Sequence, residues 1–250
     1  GAARRGDVTA VPSEALLAMA LRGDAAPWPL DADTAFETTM LLAAEQHGVA
    51  PLLTSVPAVR RWPNTLQLAL RTVRRDEAVL EAVRRGLLIR LLEAFQQAGI
   101  RCLLIKGAHV AYMQYPQPWL RPRFDTDLLV APGDRERAGA ALRSIGYVPS
   151  NQVSGVLVAH QLQYARRDRL GVTDTIDLHW KITNPHLFPD PLTFDELMAT
   201  ARTIPPLGKP AWGPSNVHAL ILACVHRVAH HQNSDLLIWL YDIHLLINAM

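Results

Sequence analysis

Asp125 and Asp127 stand two residues apart in the run Arg121-Pro122-Arg123-Phe124-Asp125-Thr126-Asp127-Leu128-Leu129-Val130. Apolar Phe124, Leu128, Leu129 and Val130 make residues 124–130 a short strand. Side chains alternate along a strand, so the two carboxylates share a face. Side by side and half buried they repel each other and lose hydration, penalties that a divalent cation cancels. A third acid, Asp177, follows in a second strand-like run, Thr175-Ile176-Asp177-Leu178-His179-Trp180. Ile176 and Leu178 belong to the core face, which leaves Asp177 and His179 together on the other. Carboxylates around paired hard cations can drive attack of a hydroxyl on an α-phosphate and expulsion of pyrophosphate. In that chemistry Asp125, Asp127 and Asp177 are the metal ligands, and Asp177 is also the base that takes the acceptor's proton. The same Asp-x-Asp spacing also serves glycosyltransferases that hold a metal–nucleotide-sugar.

Upstream, an apolar strand over residues 100–105 ends in Lys106-Gly107-Ala108 and turns straight into a helix. Glycine there permits close approach of a phosphate, and a helix start offers free N–H groups and a positive dipole end. Lys106 can add a point charge, and Arg121 and Arg123 can neutralise a triphosphate; plain strand-end and loop roles are the competing readings. His179 belongs at the mouth of such a site, as an assistant or as an ordinary hydrogen-bonded histidine. His226 and His230, four apart on a helical run, have the spacing of a zinc pair, but no third ligand accompanies them and no zinc is expected. His226 and Asp242 fit packing, capping or acceptor-pocket roles better.

These residues need a sheet to hold them and helices to cover it. Residues 65–98 carry leucines, valines and Phe95 at helical spacing, with Gly86 as a break or bend and Gly99 as the stop. Before it, Ser13 caps a short helix through Leu21, and Asp33 caps another that ends at Gly48. After the aspartate strand, Pro132-Gly133-Asp134 opens a helix over residues 135–144, closed by Gly146. Two more strands follow, over 161–166 and 172–182, with Gly171 at the turn. From Ser215 the chain is helical, with a break at Asn233-Ser234. The expected fold is α+β: a mixed β-sheet core at 100–183, an N-terminal helical region at 1–99 and a mostly helical C-terminal region at 184–250.

A 250-residue chain that is 49% hydrophobic and 19% charged can bury a sizeable core and is not wholly disordered. A net charge of +2 is too small for nucleic-acid binding by bulk electrostatics. Of 25 basic residues only Lys106, Lys181 and Lys209 are lysines, so a lysine beside the acidic run is mildly informative. Cys102 and Cys224 lack metal or redox spacing and read as two buried thiols of a reducing compartment. No signal-peptide pattern or bilayer-length apolar run is present, so a cytoplasmic protein with no membrane partner is expected. The chain stops inside a helical pattern, which leaves room for more residues beyond 250.

Leu103-Leu104-Ile105-Lys106-Gly107-Ala108, then Leu120-Arg121-Pro122 leading into Asp125-Thr126-Asp127, then Ile176-Asp177-Leu178-His179-Trp180, resemble the uncharacterised bacterial nucleotidyltransferases of the DNA polymerase β-like superfamily. His226 through His230 and Trp239-Leu240-Tyr241-Asp242 are similar to that family's C-terminal pattern. The resemblance implies the nucleotidyltransferase fold, Mg²⁺ or Mn²⁺, and an NTP donor such as ATP. It assigns Asp125 and Asp127 to paired metal ligation, Asp177 to the third acid and Gly107 to the phosphate loop. Where the wider superfamily has a serine or second glycine this chain has Ala108, so Lys106 would replace a missing hydroxyl contact. The acceptor is an unidentified hydroxyl compound, a small molecule or peptide rather than RNA. Two alternatives stay open: a toxin-like enzyme acting on tRNA or protein, and a nucleotide-binding regulatory module without turnover.

Overall fold

The structure, a computed structural model, describes residues 12–150, 161–167, 171–182, 192–231 and 236–250. The chain divides into two compact units, Gly1–Asp76 and Glu77–Met250.

The first unit is helical. Helix α1 (Ser13–Arg22) has Pro12, not Ser13, at its N-cap, with no side-chain cap bond. Ser13 is therefore the first helical residue, a position proline prepares by fixing its own φ. Helix α2 (Thr34–Gln46) starts as its sequence requires, with Asp33 accepting a hydrogen bond from Phe36 N at 2.9 Å. Gly48 follows in the left-handed region at φ 68°. A short helix α3 (Ala50–Leu53) is buried throughout. Helix α4 (Asn64–Gln97) begins in this unit and runs unbroken through Gly86. With cooperative helix on either side, one glycine costs only about 1 kcal/mol.

The second unit is built on a five-stranded sheet in the order β1-β2-β5-β4-β3. In chain order its elements are β1 (Cys102–Leu104), α5 (Lys106–Gln114), β2 (Thr126–Val130), α6 (Arg135–Ser144), β3 (Val148–Pro149), β4 (Gln161–Arg167) and β5 (Thr173–His179). There follow α7 (Phe194–Ala199), a small ribbon of β6 (Arg202–Thr203) and β7 (Trp212–Gly213), α8 (Asn216–His231) and α9 (Leu237–Asn248). Strands β2 and β5 are parallel, and the other pairings in the sheet are antiparallel. The expected mixed sheet with helical additions is thus observed. The expected break at 233–234 lies outside the described residues, as do residues 168–170 of the turn between β4 and β5.

Alternation puts apolar side chains on both faces of the sheet. Leu104, Leu128, Val130, Ile176 and Leu178 pack with Leu88, Leu91, Leu92 and Phe95 of α4 and with Ala138 and Leu142 of α6. Leu103, Ile105 and Leu129 pack on the other face with Leu197 of α7 and Leu222 of α8. Because β2 is covered on both sides, every residue in it is buried. Its aspartate is therefore held in a dry, fixed frame. Phe124, expected within the strand, is instead 90% exposed, and the strand begins two residues later. Cys102 is buried, but Cys224 is exposed on α8, so the expectation of two buried thiols holds only for the first. Among the described residues no helix is long and apolar enough to cross a membrane.

Candidate active site

The parallel pairing of β2 with β5 sets Asp127 directly beside Asp177, with Leu129 beside His179. On the other side of β2, Ile105 N donates to the Asp127 carbonyl at 3.1 Å, which delivers Lys106 to the same spot. Lys106 adopts φ 52°, a left-handed conformation that lysine rarely takes, at the point where β1 turns into α5. Such strain persists where surrounding contacts enforce it, and it clusters at functional sites.

Two side chains converge on one oxygen of the Asp127 carboxylate. Lys106 Nζ donates to Asp127 Oδ1 at 2.7 Å, and His179 Nε2 lies 2.8 Å from the same oxygen. Lys106 Nζ and His179 Nε2 are 3.4 Å apart. Burial opposes ionisation of Asp127, yet the Lys106 ammonium and the His179 hydrogen bond outweigh it and hold the carboxyl well below the usual carboxylate range. His179 goes the other way: burial, then the Lys106 charge, push it down against the pull of Asp127. Asp177 accepts a hydrogen bond from Gln163 Nε2 of β4 at 3.1 Å.

Asp125 lies just before β2, partly buried. Burial, then the carboxylates of Asp127 and Asp177, push it up to about 6. A divalent cation would relieve that mutual repulsion. One ligand atom from each of Asp127, Asp177 and His179 lies within 4.8 Å of the others, all three residues being buried. The donor set, carboxylate oxygens with an imidazole nitrogen, suits a divalent cation, and the single Lys106 charge does not balance three acids. Asp125, Asp127 and Asp177 are thus brought into electrostatic reach, with His179 joining the latter two.

The expected phosphate-binding residues divide. Lys106, Gly107 and Ala108 form the first turn of α5, as anticipated. Arg121 packs against Gly107, where a side chain on that glycine would collide with its guanidinium. Arg123 points elsewhere: its Nη1 donates to Glu81 of α4, and its guanidinium lies 5.7 Å from the Tyr112 ring centroid. The His226 ring meets Trp239 edge-on at 5.8 Å, and the His230 side chain lies outside the description. Sequence reasoning missed Gln163 and Tyr115, and it named Asp242 without its pairing to Arg121. Only Asp242 gave a signal, as the one acid in the apolar helix α9.

A family model described as an uncharacterised nucleotidyltransferase matches residues 37–250. No curated protein matches. Among solved structures, an antigenic nucleotidyltransferase-like protein from Paracoccidioides brasiliensis is similar with a TM-score of 0.46 and 15% identity. The match covers 66% of this chain and 76% of that one.

Proposed function

The chain belongs to the uncharacterised nucleotidyltransferase family, and on that basis we propose that it moves an NMP from an NTP to a hydroxyl of an acceptor and releases pyrophosphate. The observation that carries this reading is the register of Asp127 against Asp177, with Asp125 just before β2 in the field of both and the α5 start alongside.

Asp125, Asp127 and Asp177 would hold Mg²⁺ or Mn²⁺, whose charge would neutralise the triphosphate and the attacking and leaving oxygens. Lys106 and His179 take Asp127 Oδ1, so Oδ2 would be the oxygen offered to such an ion. An ammonium has three donors, so Lys106 can keep Asp127 and still reach a phosphate oxygen. The N–H groups of the first α5 turn face the same anion. Asp177, steadied by Gln163, takes the proton of the acceptor hydroxyl. The modest net charge of +2 favours a small molecule or peptide over RNA as acceptor. A cytoplasmic setting, with its supply of NTP and Mg²⁺, suits the reaction.

The test is incubation with each α-labelled NTP and Mg²⁺ or Mn²⁺, comparing the protein with Asp127→Asn. Label transfer that needs both metal and Asp127 supports the reading. A folded protein that binds no NTP under any metal condition contradicts it, and tight binding without transfer across a broad acceptor screen points to a regulatory module.

A further inference from the structure

Arg121 is a buried cation whose guanidinium is committed on two sides. Its Nε lies 3.0 Å from Asp242 Oδ2, and its Nη2 lies 2.7 Å from the same oxygen. The Tyr115 hydroxyl donates to Asp242 Oδ1 at 2.8 Å. This leaves Nη1, which donates to the Pro122 carbonyl at 3.3 Å and fills the space that a side chain on Gly107 would occupy. Three of the five N–H groups are engaged, which leaves one hydrogen on Nη2 and one on Nη1 without a partner among the described residues, the Nη1 hydrogen lying at the α5 start.

Burial disfavours the Arg121 charge, but Asp242 more than restores it, and the Asp125 field adds to the effect. A buried ion pair is weak grounds for stability by itself, because apolar residues of similar volume often do as well. This pair also carries a glycine requirement at the helix start and a spare charge-assisted donor. Both features suit a task beyond packing.

We infer that Asp242 and Tyr115 are positioning residues that hold Arg121 Nη1 beside Gly107, where it meets the triphosphate of the NTP. The inference rests on the reading of the α5 start as the triphosphate site. It makes helix α9 part of the active site through Asp242, although Asp242 touches no substrate. It also gives Gly107 a second reason: room for Arg121 as well as for phosphate.

The test measures binding of Mg²⁺·tripolyphosphate and of the four Mg²⁺·NTPs by calorimetry, together with Tm. The wild type is compared with Arg121→Lys, Tyr115→Phe and the apolar double variant R121M/D242L. The double variant should keep a near-native Tm while binding tripolyphosphate about tenfold or more weakly, the loss expected for one hydrogen bond to a charged group. Tyr115→Phe should raise KM for the NTP several-fold with little change in kcat. Native affinity in a stable double variant would overturn the inference. Should the double variant not fold, native affinity in a folded Arg121→Lys would do the same. If the wild type itself binds none of these probes, the nucleotidyltransferase reading fails and takes this inference with it.

Discussion

Asp127 and Asp177 face each other in register across β2 and β5, a parallel pair buried on both faces. Two carboxylates in that position are a poor choice for stability and a good one for gripping a cation. Asp177→Asn and Asp125→Asn should therefore cut transfer by about a hundredfold or more, since even outer-shell partners of a bound metal are worth 10–100-fold. The same variants, with chelator present, should not lower Tm at pH 7.5. A large drop in Tm for either would mean that the acid is a structural element.

The Asp125 carboxyl gives a pH signature. Its folded value, about 6, lies above the unfolded value of 3.8. Its contribution to stability is thus fully present below pH 3.8 and is lost as pH rises through about 6. In metal-free protein, the Tm gain of Asp125→Asn over wild type should grow between pH 5 and 7.5. Calorimetry across that range checks it, and a gain that stays flat with pH would count against the clustered geometry.

His109 should act in the opposite sense. It is buried on α5 with neither ring nitrogen hydrogen-bonded among the described residues, and burial pushes it down to about 4. Stability from a neutral His109 is complete above its unfolded value of 6.5 and is lost as pH falls toward about 4. His109→Leu should flatten that loss and leave NTP binding unchanged. Gly213 lies against the His109 ring, so Gly213→Ala should cost about 1–3 kcal/mol by overpacking. Urea unfolding at pH 5 and pH 8 reads both effects.

Lys106 should separate charge from geometry. Lys106→Met removes the ammonium from Asp127 Oδ1 and should weaken NTP binding while raising the Asp127 carboxyl toward the ordinary range. Metal-free stability should be lower at neutral pH but fall less as pH drops through the carboxylate range, because a folded value moved back toward the unfolded one carries less acid-labile stability. Unchanged NTP affinity in Lys106→Met would remove Lys106 from the phosphate site.

The elements that present the site were legible because each carries a local signature. Alternation in Leu128, Leu129, Ile176 and Leu178 marked the strands, and Lys106-Gly107-Ala108 marked the turn into α5. Helix stops at Gly48, Gly99 and Gly146 were legible for the same reason, all three taking positive φ. What escaped was tertiary. Nothing in the sequence pairs β2 with β5, or brings Asp242 to Arg121 across a separation of 121 residues. The left-handed φ of Lys106 is imposed by its surroundings and opposes its residue type. Exposure also misled: Phe124 and Cys224 look like core residues by type, but the strand starts later and the α8 face there is open. Gly86 looks like a helix break by propensity, yet packing of Leu88, Leu91 and Leu92 carries α4 through it.

The most direct test of the carboxylate cluster is a crystal soaked with Mn²⁺ and an NTP analogue that cannot be cleaved at the α-phosphorus, examined by anomalous scattering. Manganese bound between Asp127 and Asp177, with the triphosphate lying along the start of α5, is the expected result. Lys106 and His179 alone on Asp127, with the ion and nucleotide elsewhere or absent, would contradict it.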